Sequence, residues 1–472
     1  MREPGRPRRH WSAPSGWLND PHCVTLVGDT YHLFFQYNPE EPVWFPRMHW
    51  GHVETPNFVQ FDQQPPALVP GEGDVGCWTG SLVFDDSQEP LIFCSSLKSE
   101  ASSETGISVA VGCRDLLYWN KDPLRQVRNV PPPGFDLLAF RDPFVRRVHA
   151  RWEMLVGGGI RGVGGGVFSY CSEDLRTWRF AGLVAAGVAG GGPGGGLEEI
   201  WECPQLFPVD DKWVLVVSVW RNGEPDSVQW ATGPRDAATG ELIPERWGRL
   251  DEGGEYYAPT AFVDASGQWT VLGWSREGGG ERAAGQLRWA GVLTMPRRVA
   301  LRGDGSVAVS PAIDEGRLFL ERGTSHFRLG PSDSTSVVVE GQSARVRVRI
   351  EELSGAGSLR LREAGSNDDL VTFCVDSGNR ELRTHLRGGL GPGGQAREAY
   401  SCVLSSADVE TGGEVSIFVD QSIVELFTGS GVCSTHRVYL RSGVPLEVVV
   451  AAEQCSWFTG EVAVAVSRLA GA

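Results

Sequence analysis

Three acidic residues of this chain stand in similar company. Asp20 lies in Trp17-Leu18-Asn19-Asp20-Pro21, Asp142 in Phe140-Arg141-Asp142-Pro143, and Glu202 in Ile200-Trp201-Glu202-Cys203-Pro204. Proline follows two of them directly and the third one residue later. Because proline disfavours helical conformations in the residue before it, Asp20 and Asp142 are expected on extended backbone. Hydrolysis of a glycosidic bond commonly uses two carboxyl groups, one ionised to attack the anomeric carbon and one protonated to release the leaving oxygen. A third acid can bind sugar hydroxyls. An Arg beside one acid and a Trp near two suit that work, since aromatic faces pack on sugar C–H surfaces while amides and guanidinium groups bind hydroxyls.

Acids 122 and 60 residues apart can meet only if the fold brings them together, and a repeat supplies the means. Short apolar strands with a polar or glycine lead-in recur at Tyr31, Leu91, Trp152, Trp213 and Trp269, at steps of 60, 61, 61 and 56 residues. A second element trails some of them: Cys113 to Trp119 and Ser172 to Trp178 both end in Asp-Leu-x-x-Trp, and Pro56 to Phe61 is a degenerate copy. A step near 60 fits one four-stranded antiparallel sheet with its loops, and five such sheets around an axis make a five-bladed β-propeller. A large sandwich with accidental spacing is the alternative. Residues 1–311 are assigned to the propeller and 312–335 to a linker. Residues 336–472 are assigned to a β-sandwich, where Arg345 to Ile350 alternate charged and apolar side chains as a half-buried strand does. The expected class is all-β.

Composition narrows the function. A net charge of −16 leaves no basic stripe for nucleic acid. Ten cysteines are scattered without a Cys-x-x-Cys pair, which suggests buried free thiols rather than zinc or redox motifs. The segment Met1 to His10 is basic, Pro-rich and unlike a secretory signal, and no run is long enough for a membrane span, so a cytoplasmic location is expected. His49 and His52 have metal-like spacing but too few companions for a site; no metal and no cofactor are expected. Gly157 to Gly162 fits Gly-x-Gly-x-x-Gly, yet a strand-like run follows where the dinucleotide fingerprint needs a helix. Gly187 to Gly196 reads as a flexible surface loop.

Taken together the motifs resemble glycoside hydrolase family 32, the invertase, inulinase and levanase group. Trp17 to Cys23 is similar to its WMNDPNG signature, Arg141-Asp142-Pro143 to its RDP block, and Trp201-Glu202-Cys203-Pro204 to its EC block. His32 to Pro39, His49 to His52, Trp78 to Ser81, Glu255 to Ala258, and Trp289 with Pro296-Arg297 resemble further blocks. Val419 to Phe427 resembles the family's sandwich signature. The resemblance implies a retaining β-fructosidase acting on sucrose or fructans through a covalent fructosyl intermediate, without metal. Asp20 would be the nucleophile, Glu202 the general acid/base, and Asp142 the stabiliser of the transition state. Asn19, Gln36, Trp44, Ser81, Arg141 and Trp274 would line the fructose subsite, with Trp78 and Tyr257 near it; core packing is the alternative for these aromatics. The partner is then a small sugar, and an oligomer is compatible with the sequence. Fructosyl transfer, endo-action on fructans, and sugar binding without turnover are the rival readings. Cys203 is expected as a packed thiol beside Glu202. Asp420 and Glu425 are expected to be structural or interfacial. His22-Cys23 replaces the family's Asn-Gly and should alter the turn behind Asp20.

Overall fold

The computed structural model describes residues 5–100, 105–125, 127–128, 130–187, 199–277, 287–378, 381–386, 400–403, 413–441, 443–454 and 456–467. The glycine-rich stretch 188–196 lies outside them. Five antiparallel four-stranded units follow one another. The first comprises Gly16–Val27, Thr30–Asn38, His49–Thr55 and Asp62–Leu68, and the second Gly76–Phe84, Pro90–Leu97, Thr105–Gly112 and Trp119–Lys121. The third comprises Leu137–Val148, Arg151–Ile160, Gly164–Ser172 and Arg179–Ala186, and the fourth Ile200–Val209, Lys212–Arg221, Glu224–Gly233 and Arg246–Arg249. Tyr256–Val263, Trp269–Ser275, Arg297–Leu301 and Val307–Pro311 complete the fifth. The repeat positions Tyr31, Leu91, Trp152, Trp213 and Trp269 all fall on the second strand of their blades. The periodicity therefore follows from one apolar strand per blade, buried on both faces between neighbouring blades.

The ring closes locally. Trp289 and Ala290 pair in parallel with Gly16 and Trp17 of blade one, while Val292 and Leu293 pair with Ser275 and Trp274 of blade five. Gly291 between them has φ +84, and a Cβ there would meet Leu18 O at 1.8 Å. Only glycine permits that approach. The trailing Asp-Leu-x-x-Trp element also has a structural reason. Leu116 and Leu175 take φ of 60 and 59, and Phe58 in the degenerate copy takes 55. Asp115 and Asp174 accept hydrogen bonds from the backbone N–H groups that follow, as Asx turns do.

Two six-stranded sheets form the C-terminal part, around a core that includes Val346, Val348, Phe373, Ile417, Leu426 and Phe458. The expected linker 312–335 is a correction. It contains a helical turn, Glu315–Leu318, capped by Asp314, and then Phe319–Leu329, which pairs with Trp457–Ser467 at the edge of the first sheet. Nearly all of that strand is exposed. Its sequence lacks the apolar alternation of a half-buried strand, which is why it reads as a linker.

Asp420 and Glu425 do lie where the two parts meet. Arg297 of blade five is fully buried and bonds Asp251 of the propeller and Glu425 of the sandwich, each at 2.6 Å. Its guanidinium also lies 4.2 Å from the Tyr256 ring centroid. Eight cysteines among the described residues are free, and no helix among them is long and apolar enough to cross a membrane.

Candidate active site

The innermost strands of all five blades break register at one level. The irregularities fall between Asn19 and Cys23, Cys77 and Gly80, Glu202 and Gln205, and Tyr257 and Thr260. In blade three the break lies opposite Leu155 and Gly157, between Arg141 and Phe144. Bulges re-aim side chains, and here they turn a ring of them toward the axis. Asp20 has φ 31, Asp142 φ 66, Cys203 φ 49 and Ala258 φ 47. The extended backbone expected at Asp20 and Asp142 is thus corrected: proline excludes the right-handed helical region, and the bulge takes the left-handed one. Such positions cost about 1–3 kcal/mol each and persist only where the surroundings hold them.

Serines on the second strands supply that hold. Asp142 N–H donates to Ser95 Oγ of blade two at 2.7 Å, and Ala258 N–H to Ser218 Oγ of blade four at 3.1 Å. Cys203 N–H donates to Asp142 Oδ2 at 3.0 Å. The bulges of blades three, four and five are each pinned by the blade before.

The acids converge on this frame. Asp20 Oδ2 accepts from Thr79 Oγ1 at 2.8 Å and Gln36 Nε2 at 3.1 Å. Cys203 Sγ lies 3.6 Å from Asp142 Oδ2 and 3.9 Å from Asp20 Oδ2, so one sulfur touches both carboxyls. Glu202 is held from two sides. Arg141 donates to Oε1 through Nε at 2.8 Å and a terminal nitrogen at 2.7 Å, and Tyr257 O–H donates to Oε2 at 2.7 Å. Burial, then the Glu202 charge, raise Asp20 to about 6, against hydrogen bonds from Asn19 and Thr79 and the charge of Arg141. Burial and Glu202 likewise raise Asp142 to about 7, with Arg141 opposing. Burial and the charge on Glu202 push the Tyr257 hydroxyl well up, so it remains a donor. Burial, then the neighbouring acids, keep the Cys203 thiol protonated, in keeping with a packed thiol.

Asp20, Asp142, Glu202, Arg141, Gln36 and Tyr257 therefore form one network. Asn19 joins it beside Asp20 and accepts from Trp17 Nε1 at 2.8 Å. Trp274 stands edge-on to Trp17, with ring centroids 5.6 Å apart. Its buried Nε1 has no hydrogen-bond partner among the described residues. Trp44 and Trp78 make a second aromatic pair at 5.8 Å, and Trp78 is tied by Nε1 to Pro46 O. Ser81 stands apart: it is buried, and its Oγ accepts from Val145 N–H at 2.9 Å, so it fixes blade three to blade two. The substituted His22 turns away from solvent and stacks on Trp50 at 4.2 Å, while its carbonyl accepts from Thr260.

Sequence reasoning missed Thr79, Ser95 and Ser218. Thr79 lies inside the Trp78 to Ser81 block, between two residues that the resemblance puts at or near the fructose subsite. The serines carried a fainter signal, a hydroxyl in an otherwise apolar strand: Ser95 in Pro90–Leu97 and Ser218 in Lys212–Arg221.

Comparison with known proteins gives a consistent answer. The model of the glycosyl hydrolases family 32 N-terminal domain matches residues 10–311. A sucrose-6-phosphate hydrolase of Escherichia coli is 31% identical over 312 residues, 62% of this chain and 62% of that one. The chain thus spans less than two thirds of that relative. A sucrose-6-phosphate hydrolase of Zymomonas mobilis is 27% identical over 90% of this chain and 84% of its own. Among solved structures, the Bombyx mori GH32 beta-fructofuranosidase in complex with sucrose superimposes with TM-score 0.79 at 23% identity, covering 98% of this chain and 94% of that one. Fructan 1-exohydrolase IIa from Cichorium intybus gives TM-score 0.83 at 19% identity, covering 99% and 98%. At such identities the structures show the shared fold.

Proposed function

The chain belongs to glycoside hydrolase family 32, and from that premise we propose that it releases terminal β-D-fructofuranosyl units from sucrose or short fructans with retention of configuration. The observation that carries this reading is the single network joining Asp20, Asp142 and Glu202 through Cys203 and Arg141. Asp20 attacks the anomeric carbon and forms a fructosyl ester. The bond to the leaving sugar breaks, and Glu202 gives its proton to the departing oxygen. Water, deprotonated by Glu202, then attacks the same carbon and breaks the ester, which returns Asp20 as a carboxylate. Asp142 and Asn19 bind fructosyl hydroxyls, and Arg141 and Tyr257 hold the Glu202 carboxyl in its acting orientation. Trp17 and Trp274 form one apolar wall and Trp44 with Trp78 the other.

A phosphorylated sucrose is the second reading, favoured by the sucrose-6-phosphate hydrolases among the relatives. Sugar release from sucrose, its 6-phosphate, inulin and levan separates the candidates, with Asp20→Ala alongside. Fructose released by the parent, with glucose 6-phosphate beside it from the phosphorylated sucrose, and lost in the variant supports hydrolysis, and NMR of the first fructose formed should show the β-anomer. Oligosaccharides accumulating at high sucrose would point instead to transfer. Binding without any release would mark a non-catalytic receptor.

A further inference from the structure

Blade one carries metal-ligating side chains that this reaction does not use. His32 lies on Thr30–Asn38, and His52 and Glu54 on His49–Thr55. The register sets His32 opposite Glu54 and Phe34 opposite His52. Side chains alternate along a strand, so residues 32, 52 and 54 share one face of the blade. His32 Nδ1 is 3.1 Å from His52 Nε2 and 3.5 Å from Glu54 Oε1. One ligand atom from each of the three lies within 4.8 Å of the others.

Tetrahedral ligands about 2.0–2.1 Å from zinc stand about 3.3–3.4 Å from one another. The observed separations bracket that value for both pairs that share His32. A hydrogen bond between the rings would account for the two histidines alone. The Glu54 carboxylate, converging on the same nitrogen, adds a donor of unlike charge. Both histidines are buried, while the Glu54 side chain is 24% exposed, so the cluster meets solvent on the Glu54 side. The donor set of two imidazoles and a carboxylate suits zinc, cobalt, nickel or copper better than magnesium or calcium.

We propose that His32, His52 and Glu54 bind one divalent transition-metal ion of the zinc type, with water in the fourth position. The ion ties the second and third strands of blade one together. Along the strand His32 lies about 13 Å from Gln36, the neighbour of Asp20, so the ion acts on the blade and takes no part in the sugar chemistry.

Titration of the chelator-treated full-length protein with Co2+ tests this. One equivalent should bind with the visible d–d bands of a four-coordinate site, and Zn2+ should displace it. Glu54→Gln, a change at a partly exposed position, and His32→Gln should each weaken Co2+ binding more than about tenfold. A metal-free melting curve of Glu54→Gln that matches the parent would show the loss to be local. No stoichiometric binding by the parent, or binding that survives in both variants, as cysteine thiolates would give, overturns the proposal.

Discussion

At the scale of single residues, the site is a set of carboxyls whose charges compete. Burial and mutual repulsion raise Asp20 to about 6 and Asp142 to about 7, so the network holds fewer negative charges than acids near neutrality. A nucleophile must be ionised, and kcat/KM should therefore fall as the pH drops through about 6, where Asp20 takes up its proton. Thr79 holds that limb down, together with Asn19, because its hydroxyl donates to the ionised form. Thr79→Val keeps the shape and removes the donor. The acid limb of its kcat/KM profile should move up by about one pH unit, or about 1.4 kcal/mol. An unchanged limb would remove Thr79 from the account. Glu202→Gln keeps both of its neighbours but cannot donate the proton. Its kcat on sucrose should fall by about 10²–10⁴, with a smaller loss on a fructoside whose leaving group needs no protonation. Equal losses on the two substrates would contradict the acid role.

At the scale of elements, the strand repeat was legible and the bulges were not. The second strand of each blade is largely apolar, so its spacing shows in the sequence. The bulge at Asp142 depends on a hydrogen bond to the preceding blade, and nothing local to Asp142 announces Ser95. The same reason hid the left-handed backbone at Asp20 and Asp142: proline narrows the choices without selecting among those left. The acids themselves were readable because each shares a short motif with its proline, whereas the backbone amide that Ser81 receives comes from Val145, 64 residues away. The strand Phe319–Leu329 escaped because its exposed side chains carry no period. Ser95→Ala tests the pinning of a bulge. It leaves the buried Asp142 N–H unsatisfied and should cost about 1–3 kcal/mol. In urea unfolding this would appear as a lower midpoint with an unchanged slope. Activity should fall as well, since Asp142 would lose its fixed aim. A stability within about 0.5 kcal/mol of the parent would mean that water or relaxation satisfies the bulge without the serine.

At the scale of the whole molecule, the propeller and the sandwich are joined by buried charge, and the N-terminal segment is part of the joint. The backbone N–H groups of Arg8, Arg9 and His10 all donate to the Asp420 carboxylate. The His10 ring reaches Asp420 at 3.0 Å and Glu425 at 2.8 Å, and Glu425 also receives Arg297 at 2.6 Å. Burial alone would lower the His10 pKa, but hydrogen bonds and the charges of both acids outweigh it and raise it from 6.5 to about 9. Asp420 and Glu425 are correspondingly depressed: burial works against ionisation, and the contacts with His10 and Arg297 prevail. The folded state thus holds a proton that the unfolded chain releases above 6.5. Stability from this group is complete below the unfolded value and is lost as the pH rises through about 9. Between pH 6.5 and about 8.5 the loss from this one group should be about 2 kcal/mol. His10→Gln removes the titrating group while leaving the backbone donors in place. In urea unfolding the parent should be the more stable at the lower pH, and its advantage over the variant should shrink by about 2 kcal/mol across that window, whatever slope the buried thiols give to both proteins. Parallel slopes for the two proteins would show that His10 is neutral when folded and that Arg297 carries the joint without it.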